Sequence, residues 1–223
     1  TLESDAATEV EGEVATRQNT TAWVDRSENE GRVLTRYRRP RRSNGSVYAT
    51  YRSDGTAVSK RVGSEGDPLY RVLSPDETPA NAAERFFADF AEGLRAVAFE
   101  RNGSATFDGR VMPRYTASGL EAAPPEVGDA VDYRATLLLD DDGLLRVVEQ
   151  AVVERNEEGD RLVERTRLAL TGIGTTAVER PGWVDEATNR TGTPTTTATP
   201  DEPPRELLDV LDDPAATVRE LGS

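Results

Sequence analysis

The sequence predicts an α+β fold: a strongly curved antiparallel sheet with one amphipathic helix packed on its concave face. Three observations carry this. Strand-like alternation of apolar and polar residues runs from residue 8 to about 180. The links between the longest strands are short and rich in Asp, Asn and Gly, which favours hairpins over βαβ crossovers. The period changes from strand to helix spacing once within that region, over residues 79–99.

The first strand signal is TEVEGEVAT, residues 8–16, which alternates Val10, Gly12 and Val14 with Glu9, Glu11 and Glu13. RVLTRYR then groups Val33, Thr35 and Tyr37 on one side. SVYATYR and TAVSKRV are joined by Ser53, Asp54 and Gly55, which read as a hairpin turn. PLYRVL, residues 68–73, follows as a further strand. Residues 79–99 then place Ala83, Phe86, Phe87, Phe90, Leu94, Val97 and Ala98 at three- and four-residue steps. Glu84, Arg85, Asp89, Glu92 and Arg95 fall largely between them, as on an amphipathic helix. Thr78 suits its N-cap and Pro79 its first position.

After SATFDGRVMPRYTAS the long strands return. VDYRATLLL turns at Asp140, Asp141, Asp142 and Gly143 into LLRVVEQAVVER, which turns at Asn156–Gly159 into RLVERTRLAL. Gly172 and Gly174 allow a tight bend or bulge beyond the last strand. Pro181 has no N–H to donate and is expected to end strand pairing. Trp183 is expected to fold back over the sheet end as a core plug, in preference to a ligand-stacking ring. The domain therefore spans residues 1–187. Residues 188–206 read as a Thr/Pro-rich linker, and 207–223 as a short helical tail carrying Leu207, Leu208 and Leu211.

Composition narrows the chemistry. There is no histidine and no cysteine, which removes Ser-His-Asp and Cys-His catalysis and thiolate or imidazole metal sites. Carboxylate pairs are too abundant among 41 acidic residues to single one out as acid or base. The run at 140–143 lacks the spaced oxygen ligands of a calcium loop and reads as a solvated turn. We expect no catalytic residue, no metal and no cofactor.

The net charge is −14, and Lys60 is the one lysine among 27 basic side chains. An acid excess with arginine in place of lysine fits a salt-loving archaeon, because molar salt shortens the Debye length to about 3 Å and screens the repulsion. The arginines of RYRRPRR, namely Arg36, Arg38, Arg39, Arg41 and Arg42, are expected to be a solvated loop or a contact to anionic head groups at a membrane surface. Nucleic acid does not suit so acidic a chain. Four of the seven asparagines open an N-x-[ST] site: Asn19, Asn44, Asn102 and Asn189. That density points to an exported, glycosylated protein. It is expected to stand at the cell surface as a monomer, anchored to the membrane through a segment before Thr1.

The segment LALTGIGTTAVERPGWVDEA resembles the end of an uncharacterised lipoprotein family of haloarchaea, through Gly174, Thr175, Thr176, Val178, Pro181, Trp183 and Ala187. That family looks distantly similar to the LolA, LppX and LprG group. The resemblance covers roughly residues 30–187; the end motif is its specific part, and no lipobox cysteine is present. It implies a half-open antiparallel barrel with a helix on the concave side and a lipid held between them. It transfers no catalytic residue.

The resemblance and the helical face together imply a non-catalytic protein that binds a lipid or another hydrophobic small molecule. The candidate cavity residues are Phe86, Phe87, Phe90 and Leu94 from the helix, with Tyr133, Leu137 and Leu139 from the sheet. The same face would serve equally as ordinary core. The alternative function is an envelope interaction module with a filled core and no ligand.

Overall fold

The computed structural model describes residues 1–25, 28, 30–40, 44–53, 56–63, 66–74, 94–95, 97–123, 130–156 and 158–191, apart from the side chains of Asn44 and Ala122. The expected linker beyond residue 191 and the tail at 207–223 lie outside them.

Among the described residues, eleven strands form one sheet: β1 (Leu2–Val10), β2 (Glu13–Asp25), β3 (Glu30–Arg39), β4 (Asn44–Ser53), β5 (Thr56–Val62), β6 (Leu69–Val72), β7 (Glu100–Phe107), β8 (Arg110–Ser118), β9 (Ala130–Leu139), β10 (Leu145–Arg155) and β11 (Arg161–Leu170). Their spatial order is β6-β5-β4-β3-β2-β1-β11-β10-β9-β8-β7. The sheet is open, with β6 and β7 as its edges, and the pairings are antiparallel. Two meanders meet at a seam where β1 pairs with β11, for example Leu2 with Leu170 and Thr8 with Glu164. The first strand of the domain thus lies in the middle of the sheet.

The hairpins follow from turn chemistry. Ser53 pairs with Thr56 across a two-residue link, as the sequence predicts. The alternation of TEVEGEVAT does not make one strand. Glu11 (φ 51) and Gly12 (φ 83) instead form the two-residue turn between β1 and β2, with Val10 opposite Glu13. Two successive positive φ values are the signature of a type I′ turn, whose twist matches that of the strands. Glu11 tolerates this backbone because its ends are held: its N–H donates to the Arg161 carbonyl (3.0 Å), and its Oε1 accepts from the Arg161 N–H (2.6 Å). Asp108 (φ 51) and Gly109 (φ 73) make the same kind of turn between β7 and β8. Strand β2 is longer than its hydrophobicity suggests, because Gln18, Asn19, Thr20 and Thr21 are polar yet sit in mid-sheet.

The segment after β11 turns at Gly172, where the N–H of Thr175 and the Oγ1 of Thr176 donate to the Gly172 carbonyl at 3.1 and 2.9 Å. Gly172 (φ 57) and Gly174 (φ 76) occupy the left-handed region that this bend requires. Pro181 is not the stop for strand pairing, since β11 ends at Leu170. Pro181 instead leads into a helix, α1 (Trp183–Thr191), its carbonyl accepting from the Val184 N–H at 3.1 Å. Residues 188–191, expected as the start of a linker, are the last turn of that helix. Val184 and Ala187 are fully buried against Tyr51 of β4 and Val58 of β5, and Trp183 stacks on Tyr70 of β6 at 6.4 Å. Of the expected helix at 79–99, only Leu94, Arg95 and residues 97–99 are described; Leu94 and Arg95 are helical.

Candidate functional site

Residues directly opposite each other in an antiparallel pair point to the same side of the sheet, so the register assigns each strand position to a face. One transverse row runs Leu137, Val148, Leu168, Ser4, Thr20, Thr35 across β9, β10, β11, β1, β2 and β3. The adjacent row on the same side runs Ala135, Gln150, Thr166, Ala6, Gln18, Tyr37. Neither row carries a charge. The reverse side of the same strands runs Glu149, Arg167, Asp5, Asn19, Arg36, and beside it Arg134, Ala151, Arg165, Ala7, Arg17, Arg38. Over these two rows the sheet has an uncharged face and a charged one; on the uncharged side, charge enters beyond them, for example at Glu164 in the Tyr133–Val152 row and at Arg39 next to Tyr37.

On the uncharged face the cover is thickest over β8–β11. Leu94 packs with Val148 and Leu168, with Leu2, Leu137, Leu145 and Phe99 around them. Val97 packs with Ala117, Tyr133, Ala135 and Val152, and Phe99 touches both groups. Each large apolar side chain buried in this way contributes about 1.5–3 kcal/mol. Over β1–β3 the two rows are half-buried and lined by Ser4, Thr20, Thr35, Ala6, Gln18 and Tyr37, while beside them Ala22 and Val33, in the row of Leu2, are buried. Thr20 and Thr35 share a hydrogen bond there at 3.1 Å.

Four of the seven candidate cavity residues lie within this structure, and all four belong to the uncharged face or its cover. Leu94 and Leu137 meet in one apolar group, and Tyr133 is fully buried in the neighbouring one. Leu139 lies at the end of the same face, half-buried opposite Leu145. Phe86, Phe87 and Phe90 lie outside the described residues. Helix α1 packs on the other side, because Tyr51 and Tyr48 are three residues apart on β4 and Tyr48 stands in the Leu137 row. Val148, Val152, Leu168 and Phe99 were missed as site residues. The alternation of RVVEQAVV would have found the two valines.

Tyr133 is the unusual member. Its hydroxyl is buried and has no hydrogen-bond partner among the described residues. Burial pushes its pKa up to about 12.

At the end of the sheet, Arg146 is the extra residue of a bulge, because Leu139 faces Leu145 while Leu138 faces Val147. Its side chain is 8% exposed. Its Nε donates to the Leu170 carbonyl (3.0 Å) and its Nη1 to Asp140 Oδ2 (3.3 Å). Asp140 Oδ1 accepts from the N–H groups of Leu144 (2.9 Å) and Asp142 (3.1 Å). These bonds, the Leu144 N–H foremost, hold its carboxyl below the ordinary aspartate range. Asp140–Gly143 is thus a structural turn that ties β9, β10 and β11 together. Among the described residues, no three acids converge on a position that would hold a metal ion.

Strand alternation divides the arginine run of β3. Arg36 and Arg38 are exposed on the charged face. Arg39 points to the opposite side, donating to the Tyr37 hydroxyl at 2.9 Å and lying 5.4 Å from the Tyr37 ring centre. Arg41 and Arg42 lie outside the described residues. Among the glycosylation candidates, Asn102 and Asn189 are exposed, on edge strand β7 and on α1. Asn19 is half-buried in mid-sheet on β2, and the Asn44 side chain is outside the description.

The arrangement is that of an open antiparallel sheet with one largely uncharged face, covered over β8–β11. The chain belongs to the Family of unknown function DUF7537, which it matches over residues 1–187. No curated protein matches it. Among solved structures, it is similar to LprF from Mycobacterium bovis at 12% identity, covering 74% of this chain and 84% of that one with a TM-score of 0.33. The lipoprotein LppX from Mycobacterium tuberculosis matches at 14% identity, 76% and 85% coverage and a TM-score of 0.28. A DUF1329 family protein from Desulfovibrio piger matches at 13% identity, 82% and 87% coverage and a TM-score of 0.26.

Proposed function

We propose that this chain is a non-catalytic cell-envelope protein that holds a lipid or another hydrophobic molecule against the uncharged face of its sheet. The observation that carries this reading is the contrast between the two faces. Across β9, β10, β11, β1, β2 and β3, the Leu137 and Ala135 rows have no charged side chain, while the rows behind them carry Glu149, Arg167, Asp5 and Arg36, and Arg134, Arg165, Arg17 and Arg38. An apolar ligand can lie on the first surface without stripping water from a charge; on the second it cannot. The proposal keeps Phe86, Phe87 and Phe90 in the same site as Leu94, Tyr133, Leu137 and Leu139. It takes the sheet as a curved half-barrel with this face concave.

We place the protein outside the cell, at the surface of a salt-loving archaeon, as an anchored monomer. The acid excess and the four glycosylation sequences support that setting. Asn102 and Asn189 are the sites whose exposure suits a glycan. Arg36 and Arg38, exposed on the charged face, would meet anionic head groups.

The test is binding of a fluorescent fatty-acyl probe to the folded protein. Wild type should bind it. Thr166→Arg places a charge on the uncharged face and should weaken binding at least about tenfold, the scale of one lost favourable contact of about 1.4 kcal/mol. Arg167→Ala, one residue away on the charged face, should leave it unchanged. Absence of probe binding by wild type, together with no lipid carried through native extraction, would overturn the reading. The second reading, an interaction module with a filled core, is favoured by one observation: Tyr133, Val148 and Leu168 are each 2% exposed or less.

A further inference from the structure

We propose that the Tyr133 hydroxyl is the hydrogen-bond donor that orients the bound molecule, and that its acceptor is a neutral ester, ether or ketone oxygen of an otherwise apolar ligand. This rests on the ligand-holding reading above and adds the ligand's chemistry to it.

Tyr133 lies on β9 opposite Val152 of β10, on the same side as Leu137 and Ala135; beyond Val152 its row continues to the half-buried Glu164 of β11. Its backbone is satisfied, the carbonyl accepting from the Gly119 N–H at 3.0 Å. Its ring is packed by Val97, Ala117, Ala135 and Val152, all without side-chain acceptors. The hydroxyl is shut off from solvent and without a partner among the described residues. A buried hydroxyl left unpaired costs about 1–3 kcal/mol, and such groups are rare in folded proteins. Phenylalanine would fill the same space without that cost.

A water molecule is a poor partner in this place. Buried waters make about three hydrogen bonds, and the packed group around the ring offers one polar atom. An anionic acceptor is equally poor. The side chains packed around Tyr133 are apolar and the row beyond Val152 leads to the carboxylate of Glu164, so a carboxylate or phosphate would be desolvated there in the row of a like charge. A neutral oxygen on a long apolar molecule has neither problem. The phenol is suited to donate to it, since burial keeps it protonated well above neutral pH. The next pair along the face, Ala135 opposite Gln150, adds a half-buried neutral amide and no charge.

The experiment compares Tyr133→Phe with the wild-type chain, using two probes of equal chain length: a pyrene-labelled fatty acid methyl ester and the corresponding alkylpyrene. The ester should bind wild type about five- to tenfold more tightly than the variant, the scale of one net hydrogen bond. The alkylpyrene should bind both equally, and the ligand-free variant should melt no lower than wild type. An infrared measurement on wild type alone, with a carbonyl-labelled ester, should show the carbonyl stretch shifted down on binding. Equal ester affinity in both proteins, with an unshifted carbonyl, overturns the hydroxyl's role and leaves ligand binding standing. Wild type that binds neither probe overturns the ligand reading itself. A free fatty acid that binds as tightly as the ester, and is lost in Tyr133→Phe, overturns the restriction to a neutral acceptor.

Discussion

The two faces of the sheet are built from the same strands and differ residue by residue. Leu168 and Arg167 are neighbours on β11. Leu168 is 2% exposed under Leu94, while Arg167 reaches across to Glu149 at 3.1 Å with both side chains near half exposed. On the charged face, Arg17 pairs with Asp5 and Arg165 with Glu9 in the same cross-strand manner. Such exposed pairs are each worth about 0–1 kcal/mol, because water screens them and two long side chains must be ordered. The apolar contacts of the other face have no such offset. Stability is thus concentrated on the uncharged side over β8–β11, and on the charged side in two apolar patches, one where α1 covers Tyr51 and Val58 and one where Met112, Leu138, Val147 and Ala169 pack together.

The sharpest test of that asymmetry is a pair of adjacent truncations. Leu168→Ala should cost about 4 kcal/mol, as lost transfer energy plus the void left behind. Arg167→Ala should cost less than about 1 kcal/mol. Urea denaturation of both variants reads the difference, and equal losses would break the comparison.

Arg146 should follow in size. It is a charge at the rim of both faces, buried among the Leu170 carbonyl, Asp140 and, at 3.8 Å, Asp108. Removing one member of a buried pair typically costs about 3–5 kcal/mol. The low end, about 3 kcal/mol, is expected for Arg146→Ala, because Asp140 keeps its two N–H donors. A loss as small as that of Arg167→Ala would show that the bulge residue is solvated in solution.

The smallest effect is a pH dependence. Asp140 has its folded pKa depressed, so its contribution is present above the ordinary aspartate range and is lost as pH falls through the depressed value. Melting temperature should therefore fall more steeply on acidification in wild type than in Asp140→Asn. Parallel curves would remove Asp140 from the account of the turn.

Much of the second half of the sheet was legible from local signals. β9, β10 and β11 alternate clearly, and their turns carry Asp-Gly and Glu-Gly, because a hairpin's pairing and its turn lie within one short stretch. The hairpin of β4 and β5 was legible for the same reason. The Glu11–Gly12 turn was hidden inside an alternation that continues through it, since a two-residue turn preserves the period of two. Helix α1 was hidden because two of its nine residues supply its buried contact, Val184 and Ala187, and the threonines around them read as linker. The candidate site was half legible. Tyr133, Leu137 and Leu139 stand together on one face, while the unpaired hydroxyl of Tyr133 depends on which side chains surround it.

Composition and alternation were enough to specify an antiparallel, strand-rich chain without imidazole or thiol chemistry, because both follow from residues read singly or a few positions apart. They also specified that alternate residues of each strand point to opposite sides. They did not specify which side is covered. That depends on the seam between β1 and β11, where Thr1 accepts from the Thr171 N–H at 2.9 Å and Leu2 faces Leu170. Closing a loop that spans nearly the whole domain gains nothing until both meanders are in place, so no short stretch encodes it. Once that seam forms, register carries Leu137, Val148, Leu168, Ser4, Thr20 and Thr35 to one side, and the charged residues between them to the other.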